Sequence, residues 1–147
     1  MRIFAFAFAF IAGALISVQA GSNTALKKAF GDPIAAAVVN YALGLAGIFV
    51  YAMATRTGLP PAFQIAQTPW WAWLGGLFGL VYGLAVVFLG DRLGAATLMG
   101  LVVAGQLVCS VVLDHFGLLG FDPRPATLWR IAGCALMLAG MTLIAMF

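Results

Sequence analysis

Hydrophobic residues along this chain arrive in long unbroken runs. They show neither the alternation of a half-buried strand nor the one-sided stripe of a soluble helix. Five runs, residues 2–29, 33–55, 70–90, 93–113 and 127–147, have the length a membrane crossing needs, since a hydrocarbon core of about 30 Å takes roughly 20 apolar residues in a helix. Short polar or turn-rich breaks separate them, at 27–32, 56–69, 91–92 and 114–126. The pattern predicts an all-α polytopic membrane bundle of five transmembrane helices. It forms one transmembrane domain, 1–147, with no loop large enough to hold a soluble one.

Local chemistry supports several boundaries. Gly31-Asp32-Pro33 offers a stop, then an N-cap carboxylate, then a proline at the first helical position, where no N–H is needed. Trp70, Trp71 and Trp73 suit the headgroup level. The segment 121–125, Phe-Asp-Pro-Arg-Pro, cannot continue a helix. Asp91-Arg92 predicts a connection so tight that the third and fourth spans are antiparallel neighbours. The first run has a rival reading as a signal peptide, with Arg2, an apolar stretch and the small-residue site Val18-Gln19-Ala20. The stretch carries on without a charge as far as Lys27, which favours a membrane helix. Phe4, Phe6, Phe8 and Phe10 alternate, but with alanines and not with the polar residues that a barrel strand facing a wet lumen requires.

Composition narrows the classes. Of 147 residues 65% are hydrophobic and 7% charged, whereas a soluble domain carries about 25% charged residues. The net charge of +3 comes from seven scattered Lys and Arg, which form no stripe for phosphates, so nucleic acid is not an expected partner. Cys109 and Cys134 lie in apolar runs without metal-ligand or disulfide spacing, so no metal and no cofactor is expected. With one His, no Glu, no nucleophile elbow and no phosphate-cradling loop, an enzyme is not expected either.

Charge also bears on orientation. With five crossings, Arg2, Arg56, Arg124 and Arg130 fall on one side, and Lys27, Lys28 and Arg92 on the other. Short-loop Lys/Arg excess sets orientation, and four against three is almost none. Insertion both ways round and a single orientation set by the first span are both open. Fusing two copies of a five-helix unit inverts the second, the architecture of inverted-repeat transporters. An antiparallel homodimer of ten helices reaches the same geometry without fusion, and five helices alone would struggle to surround a solute path.

Small residues mark packing ridges. The third span carries Gly75, Gly79 and Gly83 at four-residue spacing, and the fourth carries Ala96, Gly100 and Ala104. Such ridges let backbones approach closely where lipid removes the hydrophobic drive. They suit pairing of those two spans within a subunit or, alternatively, a dimer seam.

Polar groups at membrane depth are costly and need partners. Gln19, Ser22 and Asn23 share one face of the first span, Asn40 and Tyr41 lie about two turns into the second, and Tyr82 is central in the third. Gln106 and Ser110 share a face of the fourth. Two readings fit. Gln19, Asn23, Asn40, Tyr82, Gln106 and Ser110 converge on a solute cavity, or they satisfy one another across helix interfaces. Ser110, Thr97 and Thr142 also suit back-bonding to their own helix. No carboxylate lies mid-span, because Asp32, Asp91, Asp114 and Asp122 all fall near ends or in loops. Asp114-His115 reads best as an interfacial pair, and Arg130 as a structural partner of Asp114 or Asp122.

Taken in order, these pieces resemble the YdcZ-type family of small five-helix bacterial inner-membrane proteins in the drug/metabolite transporter superfamily. The resemblance rests on 19–23, on Asp32-Pro33 through Asn40-Tyr41, and on Trp71 to Gly76 with Gly79. It continues through 93–96, Gly105-Gln106, the segment 114–120, and Arg130 with Gly133. It implies a location in the inner membrane, pairing into a ten-helix unit and an export role. Four-helix multidrug relatives rely on a first-helix glutamate, and here the matching region offers Gln19 and Asn23. That departure points away from proton antiport and towards neutral or amphipathic solutes.

The leading expectation is a small-molecule transporter working by alternating access as an antiparallel dimer. Gln19, Asn23 and Gln106 line the path, Tyr82 gates it, and the glycines of the third span allow rocking. The rival is a non-transporting accessory subunit whose polar residues are helix glue.

Overall fold

The computed structural model describes residues 2–147. Six α-helices follow one another: α1 (Arg2–Phe30), α2 (Pro33–Ala54), α3 (Ala62–Gln67), α4 (Leu74–Leu93), α5 (Ala95–Phe116) and α6 (Leu128–Met146), with a 3₁₀ turn at Trp70–Trp73 leading into α4. No strand occurs among the described residues. Apart from the six-residue α3, every helix is long and apolar enough to cross a bilayer, α4 together with its 3₁₀ lead-in, so five spans stand as expected.

The termini of these helices have identifiable causes. Asp32 caps α2 by accepting from the Ile34 N–H at 2.7 Å, with Pro33 in the first turn. Thr127 caps α6 by accepting from the Arg130 N–H. Gly117, at φ +62°, ends α5 in the left-handed conformation and closes a bond to the Leu113 carbonyl. Two boundaries differ from the sequence pattern. Helix α4 runs through Asp91 and Arg92, and the chain turns at Gly94 with φ +77°. A left-handed residue is cheap only for glycine, while Arg92 in a last turn is favoured by the helix dipole. Helix α5 also continues past Leu113, which places Asp114 and His115 in its final turn.

The chain divides into two compact units, residues 1–90 and 91–147. In the first, α1 packs on α2, and Ala36 and Ala37 of α2 meet Val87 of α4, with Leu26 and Leu84 alongside. In the second, α5 packs on α6, and Met141 fills the space beside Gly100. The cores are small, and large side chains face outwards: Phe4, Phe6, Phe8 and Phe10 are all mostly exposed. Lipid tails are as apolar as those side chains, so in a bilayer their exposure costs nothing, and small residues are what the helices bury.

Candidate functional site

The N-terminal unit holds a cavity of about 170 Å³ between α1, α2 and α4. Helix α1 contributes Ile16, Gln19, Ala20 and Asn23; α2 contributes Asn40 and Tyr41; α4 contributes Gly79, Tyr82, Gly83 and Val86. The α1 residues recur at intervals of three and four, so a single helix face supplies them. Asn23 and Asn40 each lie seven residues inside their helices from the Gly31-Asp32 connection, about 10 Å along the axis at 1.5 Å per residue. The cavity therefore sits within the apolar thickness of this unit.

Its polar groups are partly engaged. Gln19 donates from Nε2 to Asn40 Oδ1 at 3.3 Å, joining α1 to α2. Tyr41 donates its hydroxyl to the Gly79 carbonyl at 2.5 Å, joining α2 to α4. That carbonyl already belongs to a helix and spends its second lone pair here. Asn23 is 2% exposed, and its carboxamide oxygen is buried with no hydrogen-bond partner. Such a group costs roughly 1–3 kcal/mol to leave unmade.

Tyr41 is the residue the sequence pattern undervalued. Its ring occupies the space that a Cβ on Gly83 would need, so the absence of a side chain at Gly83 is what seats it. The available signal was a tyrosine hydroxyl at membrane depth, which requires an acceptor on another helix. Gly75 and Gly79 have nothing within 4 Å of a built Cβ.

The other expected residues lie in the C-terminal unit. Gln106 is exposed on α5. Ser110 donates to its own helix at the Leu107 carbonyl, 2.9 Å away. It lines a second cavity of about 320 Å³ with Leu107, Val111, Arg130, Gly133, Cys134 and Met137. Ala104 is buried, Gly100 abuts Met141, and Ala96 lies exposed in the first turn of α5. Arg130 is ion-paired with Asp114, and it also donates to the Arg124 carbonyl at 3.0 Å. His115 accepts the Ala126 N–H at Nδ1, 3.0 Å away. These contacts tie the 117–127 connection to α5 and α6.

Five apolar spans define a polytopic membrane protein, and a small polar cavity lies within one three-helix unit of it. A family model described as "Putative inner membrane exporter, YdcZ" matches residues 4–143, and the chain belongs to that family. It is similar to the "Inner membrane protein YdcZ" of Escherichia coli (strain K12), at 27% identity over 140 residues, 95% of this chain and 93% of the relative. No solved structure matches it. The family and the five apolar helices place the chain in the inner membrane as a multi-pass protein, and the family description is that of an exporter, not of an enzyme.

Proposed function

We propose that this protein exports a small neutral or amphipathic solute, and that the cavity between α1, α2 and α4 lies on the solute path. The observation that carries the reading is Asn23, whose oxygen is buried without a partner beside a cavity lined by Gln19, Asn40, Tyr41 and Tyr82. Gln19, Asn40 and Tyr41 are paired across the helices, but the Asn23 oxygen is not, and an unpaired polar atom in hydrocarbon is expensive, which supports more than a glue role for Asn23. Family membership supports export as the class of function. The transporting unit is an antiparallel homodimer working by alternating access, a reading supported by the near-even charge count and the odd number of spans. Tyr82, which lines that cavity, gates the path.

The test uses the full chain with Cys109 and Cys134 replaced by alanine. Asn40→Cys should react with a small, charged methanethiosulfonate reagent far faster than Leu43→Cys, which is exposed on the outer surface of α2. Equal, slow reaction at both positions would mean a dry cavity and would favour the accessory-subunit reading. Native mass spectrometry from detergent should give the mass of two chains.

A further inference from the structure

Resting on the reading that this cavity takes solute, we infer that its substrate class is a small uncharged primary amide, a compound with an N–H donor face, a carbonyl acceptor and a short apolar body. The argument starts from what the cavity lacks. None of its lining residues carries a carboxylate, an ammonium or a guanidinium. An ion brought into it would lose its hydration with no opposite charge to replace it, the most costly form of burial. A neutral solute escapes that penalty.

The hydrogen-bonding pattern then sets the polarity of the solute. On α1 the Asn23 oxygen has no partner, and Gln19, one turn away, uses its Nε2 towards Asn40 and so keeps its carbonyl oxygen as an acceptor. These are two acceptors on one helix face, and they call for N–H groups. Across the cavity Asn40 spends its oxygen on Gln19 and retains its amide N–H₂, and Tyr82 on α4 brings a hydroxyl. These are donors, and they call for a carbonyl oxygen. A primary amide carries both faces on one planar group. The Asn23 oxygen is covered in this state, so uptake of the solute requires the Asn23 side chain to change rotamer. Ile16, Ala20 and Val86 supply an apolar wall for the body. The cavity of about 170 Å³ slightly exceeds an engineered apolar cavity of about 150 Å³ that holds benzene. One ring with an amide is therefore near the upper limit of size.

Four compounds of nearly one shape separate the possibilities: benzamide, benzamidine as its cation, benzoate as its anion, and N,N-dimethylbenzamide, which lacks the N–H donors. Purified full-length protein in detergent is dialysed to equilibrium against radiolabelled benzamide, with the other three as competitors. Benzamide should bind, and each competitor should be at least about tenfold weaker, the factor that one charge-neutral hydrogen bond's worth of free energy represents. Asn23→Leu should lose benzamide binding. Asn23→Asp, which puts a carboxylate in the cavity, should reverse the order and bind benzamidine over benzamide. Absence of benzamide binding, or equal competition by N,N-dimethylbenzamide, overturns the amide assignment. If Asn40→Cys nonetheless reacts quickly with the thiol reagent, the solute path stands and only the substrate class is wrong. If Asn40→Cys is also inert, the path itself is wrong.

Discussion

Tyr41 and Gly83 are packed as a matched pair: the phenol of one stands where a side chain of the other would be. The same phenol donates to the Gly79 carbonyl one turn earlier on α4. A single tyrosine thus joins α2 to α4 by steric fit and by hydrogen bond, and it lines the polar cavity between them. An apolar groove on the same unit, lined by Ile34, Ala37, Val38, Leu80 and Leu84, also has Tyr41 in its wall. The one residue separates a polar space from an apolar one.

This arrangement makes Gly83→Ala destabilising by about 1–3 kcal/mol, the usual range for overpacking, because the ring must swing away and give up Gly79. Tyr41→Phe should cost about 1 kcal/mol for the lost hydrogen bond. In the double variant the clash falls on a ring without its hydroxyl, so the two effects should sum to more than the measured total. Gly75→Ala, with open space around its Cβ, should leave an isolated chain unaffected. Thermal unfolding in detergent of all four variants checks the set, and strictly additive losses would separate Tyr41 from Gly83.

A second prediction opposes stability to function at Asn23. Its carboxamide oxygen is buried without a partner, so Asn23→Leu, close in size and wholly apolar, removes an unmet polar group. The variant should unfold at the same or a higher temperature than the parent while losing its solute response. A drop in stability of about 1 kcal/mol or more, the value of an ordinary satisfied hydrogen bond, would show that Asn23 is held by a partner and is helix glue.

A third concerns the connection between α5 and α6. Arg130 holds Asp114 and the Arg124 carbonyl together, and both charged side chains are half-buried. Arg130→Gln should destabilise by about 1–2 kcal/mol, below the cost of breaking a fully buried pair because water still screens this one. Arg130→Lys should recover little, since an ammonium on a flexible stem cannot replace a fork that serves two acceptors in fixed directions. Hydrogen exchange should rise through 121–126 in both variants. Unchanged exchange there would mean that the bonds from the Arg124 N–H to the Asp114 carbonyl and from the Ala126 N–H to His115 hold the loop without Arg130.

Much of this fold could be read from the residues, and the exceptions have a common cause. The run lengths gave the five spans, and Gly31-Asp32-Pro33 gave the start of α2, because both depend on local chemistry. Asp91 and Arg92 looked like a break since charges are rare inside membranes, yet at a helix end they tolerate the interface, and the turn waits for Gly94. The short helix α3 in the 56–69 break carries too little apolar pattern to announce itself. Of the cavity, Gln19, Asn23, Asn40 and Tyr82 were legible as polar groups at depth. Tyr41 was visible as a residue but not as a wall, because its role comes from the backbone of Gly79 and the missing side chain of Gly83, and neither is a property of Tyr41's own helix.

The last prediction concerns orientation. Counting spans, Arg2, Arg56, Arg124 and Arg130 share one side, and Lys27, Lys28 and Arg92 the other. A bias of four to three is too small to fix a short-looped chain, so both orientations should be populated, as an antiparallel dimer requires. A single cysteine placed after Phe147 in the protein lacking Cys109 and Cys134 should be labelled from outside intact cells by an impermeant reagent in about half of the molecules, the share that a balanced charge count implies. Gln64→Lys with Gln67→Lys, both exposed on α3, shifts the count to six against three and should drive labelling towards completion. If dimer formation needs opposed copies, the same variant should run as a monomer and fail to export until co-expressed with a chain biased the other way. Uniform labelling of the parent, all or none, would instead mean a parallel assembly, and the two halves of the solute path would have to come from another arrangement of the same five helices.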